Sequence, residues 1–399
     1  MERPRMATSI AIVLATFVLL PASAPAAGGQ PAGPCPPAEI QTASGCTSQG
    51  EARSEVEDIV NQAVEANDLR AALVRVDVGN RTLATVTQGE SMAGVPASQR
   101  MHFRIGSMAI PYLINLLLQL QDEGLLSLDD PVSNWLPDLA NADQVTLRML
   151  ANSTSGYPDW AQGNPAFIDT FHSDVFRQWK PSELLAIAFD QPLICQPGAC
   201  FHYAHTNFAI LSKVIHEATG KSVGKLIRKR VFAPFGLRHT DISRLPGIPG
   251  QALHAYTVER GPYEDSTFWS PSWTIGKDTV MTGTIGDIIK SARAVGTGAV
   301  ISPEASREQF APGTAGFGAF SQDFYYGLGI LVMDSWQFQN PQLNGYKGIM
   351  AYLPPSKISV ALTVTNGQSA AETDINYSQR IFNEISAYLA PNHPVTFPG

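Results

Sequence analysis

Charge is scarce in this chain. Only 16% of its 399 residues are charged, and the net charge is −8. Lys and Arg form no cluster, which argues against a nucleic-acid partner. Cysteine is scarcer still, at four residues. No Cys-x-x-Cys pair and no His-x-x-x-His helix is present, so neither a metal site nor a cofactor is expected. No internal repeat is visible. The apolar run Ile10–Leu20 is too short to span a membrane comfortably.

That run sits behind Arg3 and Arg5 and ahead of two small-residue cleavage candidates, Ala22-Ser23-Ala24 and Ala24-Pro25-Ala26. The second is preferred, because Pro25 would follow the first. The pattern is that of a secretory signal peptide over residues 1–26, with an uncleaved anchor as the alternative. It predicts a secreted or cell-envelope protein with no stable transmembrane anchor after cleavage. The four cysteines suit export. Cys195 and Cys200 flank the turn sequence Gln-Pro-Gly-Ala, and Cys35 and Cys46 flank a Pro- and Ser-containing segment. Local pairing is the simplest of three connectivities.

Residues 27–50 read as a linker rich in Pro, Gly, Ala and Ser. Ser54 with Glu57 looks like a capping box opening a helix to Asn67. Residues 72–78 and 82–87 read as a hairpin around Gly79-Asn80. The segment after Ser107 is apolar nearly all round, as in a helix buried in a large core. Further helices are expected over 145–150, 208–219, 223–232, 284–295 and 375–389, and strands over 327–333, 348–353 and 358–365. Sheet-forming ends around a helical, loop-rich middle predict an α+β fold. Its antiparallel sheet is built from both ends of the chain and flanked by helices. The domain would cover 51–390, with its α/β part at about 51–130 and 281–390, a helical insert at about 131–280, and a tail at 391–399.

Phe103-Arg104-Ile105-Gly106-Ser107 is the stretch with most chemical content. A Ser after a Gly, at the mouth of a buried helix, meets free backbone N–H groups and a partial positive charge. Both favour an oxyanion. Ser107 also fits a plain helix cap.

Several blocks resemble the penicillin-recognising serine hydrolases, and most closely their class C β-lactamase and D-Ala-D-Ala carboxypeptidase branch, which includes esterases. The blocks are Phe103–Ser107 with Leu116–Val132, Val145–Asp159, Phe201–Gly220 and Val231–Thr240, and the resemblance spans about residues 54–390. It implies a β-lactamase/transpeptidase-like fold, Ser107 as nucleophile, and a small-molecule or peptide substrate, cell-wall peptides among them. Such enzymes need a Lys three residues after the Ser, one helical turn on, to take its proton. Here that position is Ile110, which cannot, and Pro111 is expected to bias Ile110 away from helical geometry. The literal Ser222-x-x-Lys225 lies outside any matching block and reads as chance.

The second motif aligns with Tyr203-Ala204-His205, where His205 stands for an Asn. The third aligns with Tyr346-Lys347-Gly348. Tyr346 takes the cationic place, and Lys347 is displaced by one residue toward the opposite strand face and solvent. Gly348 keeps the backbone open. The resemblance thus implies Ser107, Tyr203 and His205 as catalytic candidates and Tyr346, Lys347 and Gly348 as substrate-binding candidates. A lost general base costs about a hundred- to ten-thousand-fold in rate, which argues against efficient β-lactam hydrolysis. Two readings follow: an exported serine hydrolase of esterase or carboxypeptidase type, or a non-catalytic relative that binds a cell-wall peptide or envelope ligand.

Overall fold

A computed structural model describes residues 35–36, 38–276 and 278–397. The signal-peptide expectation lies outside them. Among the described residues no helix is long and apolar enough to cross a membrane.

The first element among the described residues is a hairpin, β1 (Glu39–Thr42) and β2 (Gly45–Ser48), where a linker was expected. The Cys35–Cys46 disulfide and a hydrogen bond of 2.7 Å between the Thr42 and Thr47 hydroxyls hold it. Ser48 ends β2 and caps helix α1 (Gln49–Ala66) through a reciprocal box with Glu51. The helix therefore starts earlier than the Ser54/Glu57 pattern suggested, because the Ser48/Glu51 pair six residues upstream supplies the same two bonds.

Strands β3 (Leu69–Val78) and β4 (Arg81–Met92) follow as a long hairpin, and Val95–Pro96 (β5) adds an edge. The remaining strands come from the other end of the chain: β6 (Phe324–Tyr326), β7 (Leu331–Met333), β8 (Trp336–Gln339), β9 (Gln342–Leu343), β10 (Tyr346–Leu353) and β11 (Ile358–Asn366). They form one nine-stranded antiparallel sheet in the order β6-β7-β8-β10-β11-β3-β4-β5, with β9 on β10. The two ends join where β11 runs against β3, from Ile358 opposite Val78 to Asn366 opposite Leu69.

Both faces of this sheet are covered, so its central strands are apolar without a clean alternation. Ala72, Val74 and Val76 point to the outer core with Val56 and Val60 of α1 and Phe382 and Ile385 of helix α5 (Tyr377–Leu389). Ala71 and Leu73 point to the inner core, which holds helix α2 (Ile110–Asp122) and helix α4 (Ile285–Gly296). Tyr112 donates from α2 to Ser291 Oγ of α4 at 2.7 Å, and Ser291 donates in turn to Asp287 O. Between α2 and α4 lie short helices, two- and three-residue strands, and helix α3 (His205–Thr219), stopped by the left-handed Gly220. This region sits against the inner face, and the candidate site lies along that contact.

Candidate active site

The nucleophile candidate sits in a tight turn. Phe103–Arg104 pairs with Gly283–Thr282 and delivers the chain to Gly106, which has φ +53°. A side chain there would also strike Pro341, whose Cβ would lie 2.7 Å from it, so only Gly fits. Gly106–Ala109 forms one 3₁₀ turn, and α2 takes over at Ile110. Ile110 is helical, at φ −60° and ψ −48°, which corrects the expectation that Pro111 would displace it. Its own N–H is bonded back to Ser107 O, and a proline in the first helical turn removes no bond the helix needs. The Ile110 side chain is fully buried. It lies with Ile114 against Gly329, where an added Cβ would be 2.8 Å from Ile110 Cγ2.

The third-motif candidates go elsewhere than expected. Lys347 does face away from Tyr346, but it is buried and not solvated. Its Nζ donates to Ile375 O at 2.6 Å and lies 5.2 Å from the centre of the Tyr377 ring. Burial lowers its pKa to about 8, against the opposing pull of Asp374 and Glu259. Tyr346 commits its hydroxyl to Leu253 O at 2.5 Å. Gly348 is not open backbone: its N–H donates to Pro341 O at 3.0 Å, and an added Cβ would meet Met108 Cε at 2.7 Å. The physical reason is β9. It covers the β10 edge at Tyr346 and Lys347, while β11 takes the other edge. The segment that faces the Gly106 turn is Pro341. Ser222, of the literal Ser-x-x-Lys, caps a short helix by accepting from Lys225 N.

The second-motif residues meet a partner that the sequence reading missed. His205 opens α3 and is 13% exposed, and its Nδ1 lies 2.9 Å from Oδ2 of Asp159, which is wholly buried. The His205 backbone N–H donates to the same oxygen. Asp159 Oδ1 accepts from Ala161 N at 2.6 Å and from Gln162 N at 2.8 Å. Burial alone would raise the Asp159 pKa. The charge and hydrogen bond of His205, with the Gln162 and Ala161 amides, outweigh it and hold the carboxyl below its ordinary range. An ionised Asp159 fixes Nδ1 as the nitrogen that carries the proton in the neutral ring, so that in this form Nε2 is the one with the lone pair.

Three aromatic rings wall the imidazole. Trp160 stacks on it at 5.8 Å and 30°, and Tyr203 and Trp273 present edges at 5.4 Å and 6.3 Å. Burial, then Tyr326 and Asp159, push the Tyr203 phenol well above its ordinary pKa. Tyr203 therefore keeps its proton at neutral pH and can donate but not act as a phenolate base. Tyr203, His205 and Asp159 form one group. Gly348 is joined to the Gly106–Ala109 turn through Met108 and Pro341.

The chain matches the family model described as Beta-lactamase over residues 56–383. It is 28% identical over 198 residues to the D-alanyl-D-alanine-carboxypeptidase/endopeptidase AmpH of Escherichia coli (strain K12), covering 48% of this chain and 49% of that one. It is 29% identical over 192 residues to the esterase EstB of Burkholderia gladioli, covering 45% and 49%. The chain spans less than two thirds of the length of the curated relatives it matches. Among solved structures, a D-stereospecific amidohydrolase from Streptomyces sp. superposes with a TM-score of 0.71 at 24% identity, over 81% of this chain and 98% of that one.

Proposed function

The chain belongs to the beta-lactamase family, and on that premise we propose that it is an exported serine hydrolase of esterase or carboxypeptidase type, with His205 in place of the missing lysine base. The observation that carries this reading is the buried Asp159 carboxylate 2.9 Å from His205 Nδ1. It is the orienting third group that a Ser–His pair needs. In the proposed reaction Ser107 Oγ attacks an ester or amide carbonyl as its proton passes to His205 Nε2. The oxygen then gains negative charge at the N-terminal turn of α2, where N–H groups and the helix dipole favour it. Tyr203, kept protonated by its surroundings, donates toward the leaving group. The proton on Nε2 goes to the departing alkoxide or amine. Water, with its proton taken by the same nitrogen, then attacks the acyl-serine ester, and that proton passes to Ser107 Oγ as the acyl–oxygen bond breaks.

A cell-wall-derived peptide is a substrate class of this reading, and efficient β-lactam hydrolysis is not part of it. The test is intact mass after incubation with a fluorophosphonate and, separately, with a penicillin. A Ser107 adduct from the fluorophosphonate supports the hydrolase, and absence of both adducts sinks it. One set of observations favours a second reading, a non-catalytic relative that binds a peptide or envelope ligand. Ile110 packs where the base would stand, and the Tyr346 hydroxyl and Gly348 N–H are both committed internally.

A further inference from the structure

The Asp159–His205 contact joins two segments that run side by side for most of their length. Ile194 N donates to Gly156 O at 2.9 Å, Gly198 N to Thr154 O at 2.8 Å and His202 N to Ser153 O at 2.8 Å. Beyond them Ser155 Oγ donates to Asn207 Oδ1 at 2.6 Å, and Thr206 Oγ1 to Pro158 O at 2.7 Å. Cys195–Cys200 closes the turn at the start of this ladder.

The approach there is close enough to dictate backbone shape. Gly156 has φ +76°, and a Cβ on it would fall 2.1 Å from Cys195 O. Ser153 is held at φ +59°, a left-handed conformation uncommon for a residue with a side chain, and it is fully buried. Gly156 meets the disulfide turn itself at Cys195, and Ser153 meets the segment just beyond it at His202. Phe201–Ala204, between the bridge and α3, has no helix or strand of its own to fix it, yet it carries Tyr203.

We propose that the Cys195–Cys200 turn is the positioning device of the candidate site: it locks Phe201–Ala204 against Ser153–Gly156 and so sets Tyr203 and His205 on Asp159. The bridge limits the conformations open to the six-residue turn, so the ladder forms in one register. Cys35–Cys46, in the hairpin ahead of α1, has no such link to the site and serves as the internal control.

The inference uses the proposed catalytic roles only for its kinetic arm. Two double variants are compared, Cys195→Ser/Cys200→Ser and Cys35→Ser/Cys46→Ser. In the first, amide hydrogen exchange at His202 and His205 is expected to quicken at least tenfold, and in the second to stay as in the wild type. On an activated ester the first loses at least tenfold in kcat with KM within twofold. Added to His205→Asn, the same pair costs nothing further, because the group it positions is gone. If the first variant does not fold, the folded wild type is treated with dithiothreitol. The dithiol gives the bridge two electrons and two protons and closes to its cyclic disulfide, and the exchange of both amides is read again. Unchanged exchange at His202 and His205 in the opened protein overturns the inference. Faster exchange in a protein without esterase activity leaves it standing and removes the hydrolase reading instead.

Discussion

The two halves of the candidate residue set solve opposite problems. Around Ile110, Gly329, Pro341 and Gly348 the structure is closed by shape. Glycines allow apolar atoms and backbone to meet at distances no side chain would permit, and polar groups turn away or bond internally. Around His205 the structure keeps a buried charge, and each carboxylate oxygen of Asp159 accepts from N–H groups. Trimming an apolar side chain in the first half leaves a void. Removing a donor or acceptor from the second leaves its partners buried and unsatisfied, a penalty of a different kind. The half that keeps a buried carboxylate and its donors is the His205 half.

His205→Asn tests that contrast most severely. It is expected to lower kcat on an activated ester by about a hundred- to ten-thousand-fold. The rising limb of the pH–rate profile should vanish with it, and a variant that keeps both rate and limb removes His205 as base. Next is Asp159→Ala, which strands the Ala161, Gln162 and His205 amides. Breaking such a buried pair costs about 3–5 kcal/mol, readable as a fall in urea midpoint.

The same carboxylate makes stability depend on acid. Its folded pKa lies below its unfolded one, so its contribution is complete above the ordinary Asp pKa and fades as pH falls through the folded value. Wild type should therefore lose stability below about pH 4 more steeply than Asp159→Asn.

Ile110→Lys probes the closed half. The helix presents residue 110 in proper geometry, but the pocket is apolar and full. A loss of roughly 2–4 kcal/mol is expected from burying the ammonium. A fall of less than about 1 kcal/mol would show that the half is looser than its packing indicates. An effect of similar size, confined to alkaline pH, belongs to Lys347. Its folded pKa of about 8 lies below the unfolded value, so the unfolded chain binds more protons between about pH 8 and 10.5. Stability should rise with pH across that window by up to about 3 kcal/mol more in wild type than in Lys347→Met. Equal pH slopes in the two proteins would mean that the amine is hydrated.

Much of the sheet was legible because alternation and turn residues are local. Gly79-Asn80 marked its hairpin, and Ile358–Thr365 read as a strand from its alternation. The β8 and β9 strands were not, since Trp336–Gln339 and Gln342–Leu343 are short and broken by Asn340-Pro341. Missing them also misplaced the backbone facing Ser107, because Pro341 lies between the two. Asp159 was visible only as part of a matching block. Its role depends on a partner 46 residues away, which no periodicity carries. The one local hint is that Asp159 precedes two amides it can cap, a turn pattern common to many aspartates. His205 was read as lying ahead of its helix, and its place in the first turn of α3 is what aims the ring at that carboxylate.

The join of β3 to β11 has a kinetic consequence. Val78 finds its partner Ile358 only after roughly 280 further residues exist. At ribosomal speeds of about 5–20 residues per second, the first hairpin waits on the order of half a minute for the strand that completes its sheet. During that wait the β3 edge stands unpaired, with Leu73 and Val74 uncovered on its two faces. Such a chain should fold slowly, and its refolding yield should fall as protein concentration rises. A circular permutant that joins α5 to α1 and opens the chain in the helical region would place β11 and β3 close in sequence, and it should refold faster than the natural order.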